Sequence, residues 1–387
     1  GLACALSASN TAGNPRIIIA DRMPRTGKKL LATGNGRCNM SNLHLSEKFY
    51  HGTVSVGSLI SEFPDIRPFM GALGLFTYAD IAGRIYPLPN TAASVSAALR
   101  LAVEEKGIDV LTDCDCSHIK KENGRFTAIT SLGSIKARTA VLACGGMAAP
   151  VHGSNGSGFV LAESMGLELT PPFPALCPLT AEGVKGLEGL RSPCKAELII
   201  NGKTLAAEEG EVQFTKSGLS GICIFNLSAR FNNEPCSVKL DLSPRLPISE
   251  LKSVLFSALK ARSNFEAQDG FTGVFPRQLA LYLLKRSNIP LSKSCSMLTE
   301  NETEAIAETA KAVSFKITGR SGFDSAQVTA GGVKGGEVNS DFMAKKVKGL
   351  FLCGEILDVW GECGGYNLHF AFASGIKAGK SAALFLK

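Results

Sequence analysis

The sequence predicts an α/β nucleotide-binding fold assembled from both ends of the chain and interrupted by an insertion. Three observations lead there. Near the start, LACALSASNTAG patterns as a helix, and IIIADR follows as a buried strand ending in an acid. Near the end, LFLC at 350–353 reads as a short apolar strand. It runs into Gly354-Glu355, a glycine-studded loop, and a helix opening at about Leu368 with small residues on one side. Between them, composition and hydrophobic period change near Pro171 and again near Val328.

The first helix and strand fit a dinucleotide-binding unit. Such a unit has a strand and a G-x-G-x-x turn before the helix, with an acid about 20 residues past the glycines. Gly1 is read as the last glycine of that turn and Asp21 as the acid, with Arg22 beside it. The opening strand and the first two glycines are therefore expected upstream of residue 1. Next comes GKKLLATGNGRCNMSN, 27–42, read as a glycine-rich loop. Its amides and the side chains of Thr33, Asn35 and Asn39 suit a pyrophosphate or a ring edge, with Arg37 as a charged clamp.

Residues 92–106 pattern as an amphipathic helix, and IDVLTDC, HIKKENGRFTAITS and SIKARTAVLACGG as β runs. NG at 123–124 and LGS at 132–134 are expected to be hairpin turns. The last run closes on the pair Gly145-Gly146 and is expected to return to the parallel sheet, together with 16–20 and 349–353. GSNGSGFVLAESMG then opens another helix.

PPFPALCPL reads as a proline-rich crossover. Beyond it KAELII, KTLAAEEGEVQFT, ICIFNLSA and SVKLDLS alternate like strands of a small barrel or sandwich. Helical patterns follow at ISELKSVLFSALKAR, PRQLALYLLKR and NETEAIAETAKAV, and VSFKITG returns to strand. The domain boundaries expected are 1–175 and 327–387 for the nucleotide-binding domain. Within them lie a β-barrel at 176–247, a helical insert at 248–313 and a return strand at 314–326.

Taken alone, the segment 354–368 reads either as an ordinary strand-loop-helix crossover with glycines for tight turns or as the part of a flavoprotein that holds FAD. On the second reading a carboxylate at a strand end, Glu355, accepts a ribityl hydroxyl. The glycines let backbone amides close on the ligand, and the N-terminus of the following helix faces N1 and O2 of the flavin, where the reduced form is negative.

Composition excludes other classes. The chain has 387 residues, 45% apolar and 19% charged, which describes folded domains rather than disorder. No apolar run approaches the ~20 residues of a membrane span. No basic-then-apolar leader stands in the sequence, so a cytoplasmic protein is expected. The twelve cysteines show no CxxC pairing or disulfide-framework spacing and read as reduced thiols, several of them buried in strands such as those ending at Cys144 and Cys353. The five histidines include no HxxxH, and the pair His44 and Glu47 reads as solvated, so no metal site is expected. The net charge of +7 is spread along the chain and is compatible with an anionic cofactor or with RNA.

At this point the residues resemble a known family over nearly the whole chain: the bacterial FAD-binding oxidoreductases called aminoacetone-oxidase-like or BaiN/YhiN-like. Its marks stand at 27–42, as GRIYPLPNTAASV (83–95), as LACGGMAAPVHGSNGSG (142–158) and as PALCPL (174–179). GEVQFTKSGLSG (210–221), VTAGGV (328–333) and GEILDVWGECGGYNL (354–368) complete the set. The resemblance implies a glutathione-reductase-like FAD domain built from both chain ends, with an inserted β-barrel and a small helical domain. By matching position it assigns Gly1 to the pyrophosphate turn and Asp21 to the adenosine ribose. Lys29, Thr33, Gly34, Gly36, Arg37, Cys38 and Asn39 fall in the loop along pyrophosphate and flavin, and Gly145 at the end of the returning strand. Gly331 and Gly332 match glycines approaching the isoalloxazine. Gly354 and Glu355 match the ribityl site, and Gly364, Gly365, Asn367 and Leu368 the helix start at the pyrimidine edge. The chain departs from the family pattern where its opening strand is absent, where Asp21 replaces the commoner Glu, and where Ser157 replaces a residue often acidic.

The expected function is hydride transfer between FAD and a small organic substrate, either amine oxidation or enone C=C reduction. No second G-x-G-x-x-G is present, so NAD(P)H would visit the flavin transiently, or oxygen would reoxidise it. The alternatives are an RNA-modifying flavoprotein using a folate or glycine partner, and a FAD-binding protein without turnover. EEGE, LDLS and NETEAIAE make a poor basic, aromatic-rich surface for RNA, and no nucleic-acid partner is expected. Tyr366 and Arg37 are the candidate catalytic residues, Tyr366 because a phenol is a good acid beside an enolate. Cys363 reads as a pocket-lining thiol, His369 as a packed core histidine, and Thr329 as a residue facing the pocket.

Overall fold

The computed structural model describes residues 1–11, 13, 15–231 and 234–387. Two compact units emerge: Gly1–Ala175 with Gly322–Lys387, and Leu176–Ser321 between them.

In the first unit, the helix Leu2–Ser9 lies along the last helix, Tyr366–Leu384. The small residues of that last helix explain the close approach. A Cβ at Gly379 would sit 2.1 Å from the Cys4 carbonyl oxygen, and Ser7 Oγ donates to the Ile376 carbonyl at 2.7 Å. The first helix ends at Ser9, short of the stretch to residue 13 that its sequence suggests, and residue 12 lies outside the described residues.

Strand Ile18–Ala20 pairs in parallel with Asp109–Leu111, and Ala140–Leu142 in parallel with Leu350–Leu352. These are two separate two-stranded ladders, not the single sheet expected from 16–20, 139–144 and 349–353. Among the described residues no strand hydrogen-bonds to both. The run 116–137 forms an antiparallel three-stranded sheet. Asn123 (φ 50°) and Gly124 (φ 76°) make its first turn, the left-handed pair that matches strand twist. Its second turn is Ser131-Leu132, one position earlier than LGS suggests, since Thr130 is already paired with Gly133. PPFP is a strand and not a crossover: Leu169–Ala175 pairs antiparallel with Val328–Val333. The ladder shifts register between Thr170 and Phe173, where Pro171 and Pro172 have no N–H to donate.

The second unit contains a closed six-stranded barrel. Its order is Leu179–Ala181, Gly218–Ser220, Lys203–Phe214, Arg191–Ile200, Cys236–Asp241 and Val313–Arg320, the last closing on the first. ICIFNLSA, read as a strand, is the helix Ile222–Ser228. Cys223, Ile224, Leu227 and Ser228 are buried, which is a spacing of three and four rather than two. Helices Ile248–Ala261, Arg277–Arg286 and Glu300–Lys311 bury Leu251, Leu255, Leu259, Leu279, Leu283 and Ile306 in the same core as the barrel residues Leu198, Val238 and Phe315.

Candidate flavin site

The buried strand Leu350–Leu352 delivers the chain to Gly354, whose φ of 74° suits only glycine without strain and whose N–H donates to Ser374 Oγ of the last helix at 3.0 Å. That turn presents Glu355. Its Oε1 accepts the Thr329 N–H at 2.7 Å, and its Oε2 meets Lys29 Nζ at 2.5 Å. Thr329 is fixed in turn, because its Oγ1 accepts the N–H groups of Met147 (2.7 Å) and Ala148 (3.0 Å). Gly146 is required there: a Cβ would stand 2.3 Å from Thr329 Oγ1. Gly145 (φ 71°) faces the same carboxylate, its would-be Cβ 4.0 Å from Glu355 Oε2. The carboxylate is thus oriented but still partly open, with its side chain 21% exposed.

A second group forms at the start of the last helix. Gly364 (φ 150°) and Gly365 (φ 100°) lead into it without a side-chain cap, so its first N–H groups have no intrahelical partner. A Cβ on Gly365 would lie 2.3 Å from the Ser41 carbonyl oxygen and 2.7 Å from Asn39 Oδ1. Asn42 Nδ2 donates to the Gly364 carbonyl at 2.9 Å, and Ser41 Oγ lies 2.8 Å from His369 Nδ1. His369 is fully buried, and desolvation pushes it down to about 4, so it is neutral at pH 7.

The segment 28–39 joins the two groups, since it carries Lys29 at one end and Asn39 at the other. Gly34, Asn35, Gly36 and Cys38 all have positive φ, between 54° and 81°. Within the segment the Arg37 and Cys38 N–H groups donate back to the Gly34 and Thr33 carbonyls, at 3.2 and 3.0 Å, which holds the turn closed. Thr33 does not project onto a ligand with its hydroxyl, which donates to the Leu30 carbonyl at 2.6 Å. Cys38 is buried, and desolvation pushes its thiol up to about 11. Arg37 holds its guanidinium 5.0 Å over the Tyr86 ring.

Asp21 follows directly on Ile18–Ala20. Burial raises its carboxyl, and its Oδ1 accepts the Met23 N–H at 2.9 Å. Arg22 reaches Asp115 at 3.8 Å while its Nη1 is buried without a partner. Gly1 precedes the first helix, its carbonyl accepting the Ala5 N–H at 3.0 Å.

Several assignments change. Gly331 (φ 83°) and Gly332 (φ 125°) are explained by protein packing: their would-be Cβ atoms stand 2.5 Å from the Pro171 carbonyl oxygen and 2.7 Å from that of Ile356. The Asn367 side chain is spent on Gly361, accepting its N–H at 2.7 Å and donating to its carbonyl at 2.6 Å, so only the Asn367 backbone remains for a ligand. Leu368 packs on the cluster around the first helix. Tyr366 stacks on Phe49 (4.6 Å, 19°) with Tyr50 edge-on (5.8 Å). Burial and the nearby Glu362 push its phenol up to about 12. Cys144 lies past the end of its strand and is exposed rather than buried. Ser41 and the pair His51–Glu362 escape the sequence reading because their partners lie hundreds of positions away, and Ser374 because no local pattern ties it to Gly354, 20 positions earlier. Among the described residues no group of three His, Cys, Asp or Glu is placed to hold a metal ion, and no helix is long and apolar enough to cross a membrane.

The residues fit FAD on two observations: Asn39 Oδ1 is buried beside Gly365 without a hydrogen-bond partner, and Arg22 Nη1 is likewise orphaned beside Asp21. A polar ligand with donors and phosphates would satisfy both. Fold and site together define a FAD-dependent oxidoreductase. The chain belongs to the HI0933-like Rossmann-domain family, which matches residues 1–381, and within it is BaiN-like.

It is 34% identical to a 3-dehydro-bile acid delta(4,6)-reductase from Clostridium scindens, over 99% of this chain and 96% of that protein. It is 27% identical to a ribosomal RNA dihydrouridine synthase from Escherichia coli, over 93% and 90%. Among solved structures, the FrdA subunit of E. coli quinol–fumarate reductase aligns with a TM-score of 0.50 at 17% identity, covering 99% of this chain and 68% of that one. That likeness concerns the fold.

Proposed function

We propose that the protein reduces a carbon–carbon double bond conjugated to a carbonyl in a small organic molecule. The observation that carries this reading is the 34% identity, over nearly both full lengths, to a reductase of that kind of bond. The more distant relative points the same way, because dihydrouridine is uridine with a ring double bond beside a carbonyl saturated. Amine oxidation has no comparable support.

FAD, when bound, would supply the hydride, and a nicotinamide would be the source of the electrons that restore it. The protein's residues hold and orient it. Glu355, aimed by Thr329 and Lys29, accepts a ribityl hydroxyl. Asn39 and the free N–H groups of Tyr366, Asn367 and Leu368 serve the pyrimidine edge, where the helix dipole favours negative charge. Asp21 and Arg22 serve the adenosine and phosphates. Arg37, on its Tyr86 platform, is assigned to the polar end of the substrate, and Tyr366 to the wall of the pocket.

The test is anaerobic. The protein, loaded with FAD and reduced by NADH or NADPH, is mixed with an enone steroid, an aminoketone or a uridine-containing rRNA fragment. Flavin reoxidation by the enone is the expected result. Reoxidation by the rRNA fragment alone would favour the second reading, RNA modification, which the 27% relative supports. In a parallel sample left oxidised, reduction of the flavin by the aminoketone, with no response of the reduced sample to the other two, would overturn the proposal.

A further inference from the structure

We infer that His51 delivers the proton that accompanies the hydride and that Glu362 positions it, with Trp360 as the wall behind the imidazole; this rests on the double-bond reduction argued above. The strands Tyr50–Gly52 and Val359–Gly361 pair antiparallel with His51 directly opposite Trp360. Directly opposed residues share a face of the ladder, and here the two rings lie 4.2 Å apart at 32°. Just past the strand, Glu362 donates its N–H to the Phe49 carbonyl at 2.9 Å. This turns the carboxylate back so that Oε1 lies 3.3 Å from His51 Nε2. Side-chain exposures of 24% and 15% leave the pair partly dry yet open to exchange protons with water.

Position links the pair to the flavin site. Glu362 stands two residues before Gly364, whose carbonyl and following helix start form the pyrimidine-edge cradle. Tyr50, the neighbour of His51, donates its hydroxyl to the Tyr366 carbonyl at 3.2 Å in the first turn of that helix. A purely mechanical strap would be redundant here. The two strands are already fastened by their ladder and by Asp358, whose carbonyl accepts the Thr53 and Val54 N–H groups and whose Oδ2 accepts the Thr53 hydroxyl at 2.8 Å.

The chemistry needs such a donor. As the β-carbon of the enone gains the hydride from reduced FAD, the π electron pair of the double bond moves onto the α-carbon and carbonyl as an enolate. The α-carbon then takes a proton from Nδ1 of the imidazolium, while Nε2 stays bonded to Glu362. FAD is oxidised by two electrons, the substrate gains two hydrogens, and His51 regains its proton from water. Histidine is the side chain that changes charge near neutrality. Neighbouring charged and phenolic groups are engaged elsewhere or buried. Asp358 is turned to Thr53 and Thr170, Lys48 lies over the Phe49 ring, Glu47 lies against Gly57, and burial raises the phenols of Tyr50 and Tyr366.

Trp360 is the only tryptophan in the chain, so its emission is a private reporter of this contact. In the flavin-free full chain, His51→Gln should change that emission, because it removes the ring 4.2 Å from the indole. In the FAD-loaded protein, His51→Gln should retain flavin and lower kcat for enone reduction by about 10²–10⁴-fold, as for loss of a general acid. It should also remove the fall of kcat at alkaline pH and change KM by less than about threefold. Glu362→Gln, gentler to the fold, should lower kcat less and displace the same limb. A wild-type protein inert to enones would sink the reduction reading itself. An active wild type with His51→Gln within about threefold of it would overturn the inference alone. If His51→Gln does not fold, an unaltered pH profile in Glu362→Gln overturns it equally.

Discussion

At the scale of single residues the flavin site rests on Glu355, whose oxygens are divided between the Thr329 amide and Lys29. Glu355→Ala removes a charge-assisted hydrogen bond, which costs about 1.5–3 kcal/mol of FAD binding. FAD titration should show a dissociation constant larger by about 10- to 100-fold; unchanged retention would refute the assignment. His369 gives a second prediction. Its pKa of about 4 in the fold lies below the ordinary 6.5, so the unfolded chain binds a proton first as pH falls. Stability from this group is complete above pH 6.5 and is lost on the way down to pH 4, roughly 3 kcal/mol in all. Urea midpoints should therefore fall between pH 7.5 and 4, and His369→Gln should flatten that slope. The strand-end positions of Glu355, Gly354 and Asp21 were legible because each stands in a local strand-turn pattern. Lys29, Thr329 and His51 were not tied to their partners by sequence, since the pairing of Lys29 with Glu355 spans 326 positions.

Elements were legible where period and length agreed, and misread where a short apolar run could bury itself either way. KAELII and SVKLDLS alternate and are strands. ICIFNLSA is a short apolar run as well, but Gly221 (φ 106°) turns the chain against Glu211 and starts a helix instead. A Cβ there would lie 2.2 Å from the Glu211 carbonyl oxygen. Gly221→Ala should cost at least about 1–3 kcal/mol, read as a lowered melting temperature of the barrel unit. A variant as stable as wild type would show that this backbone relaxes freely. The helix Glu300–Lys311 offers a milder test. Thr299 caps it, accepting the Glu302 N–H while Glu302 accepts the Thr299 N–H. Thr299→Ala should cost about 1 kcal/mol in urea denaturation and leave FAD content unchanged. The prolines of PPFP misled for a different reason: the ladder tolerates them by slipping its register at that point.

For the molecule as a whole, the second unit has its own barrel, its own helices and its own core. Its two ends meet, with Ser321 N–H donating to the Pro178 carbonyl at 2.9 Å. Residues 176–321 expressed alone should fold and melt cooperatively, as an autonomous domain does; a non-cooperative melt by circular dichroism would show dependence on the rest of the chain. The first unit has the opposite property. Its first helix packs on its last, and Ala140–Leu142 pairs with a strand more than 200 positions away. On a ribosome adding about 5–20 residues per second, residue 175 waits roughly 10–40 s for residue 387 to follow it. During that interval the barrel unit can complete itself while the opening segment has nothing to close against. Glu355 and the glycines of the last helix are made only late in that wait, so cofactor capture cannot precede them. A nascent chain stalled before residue 354 should stay colourless whatever the FAD concentration around it.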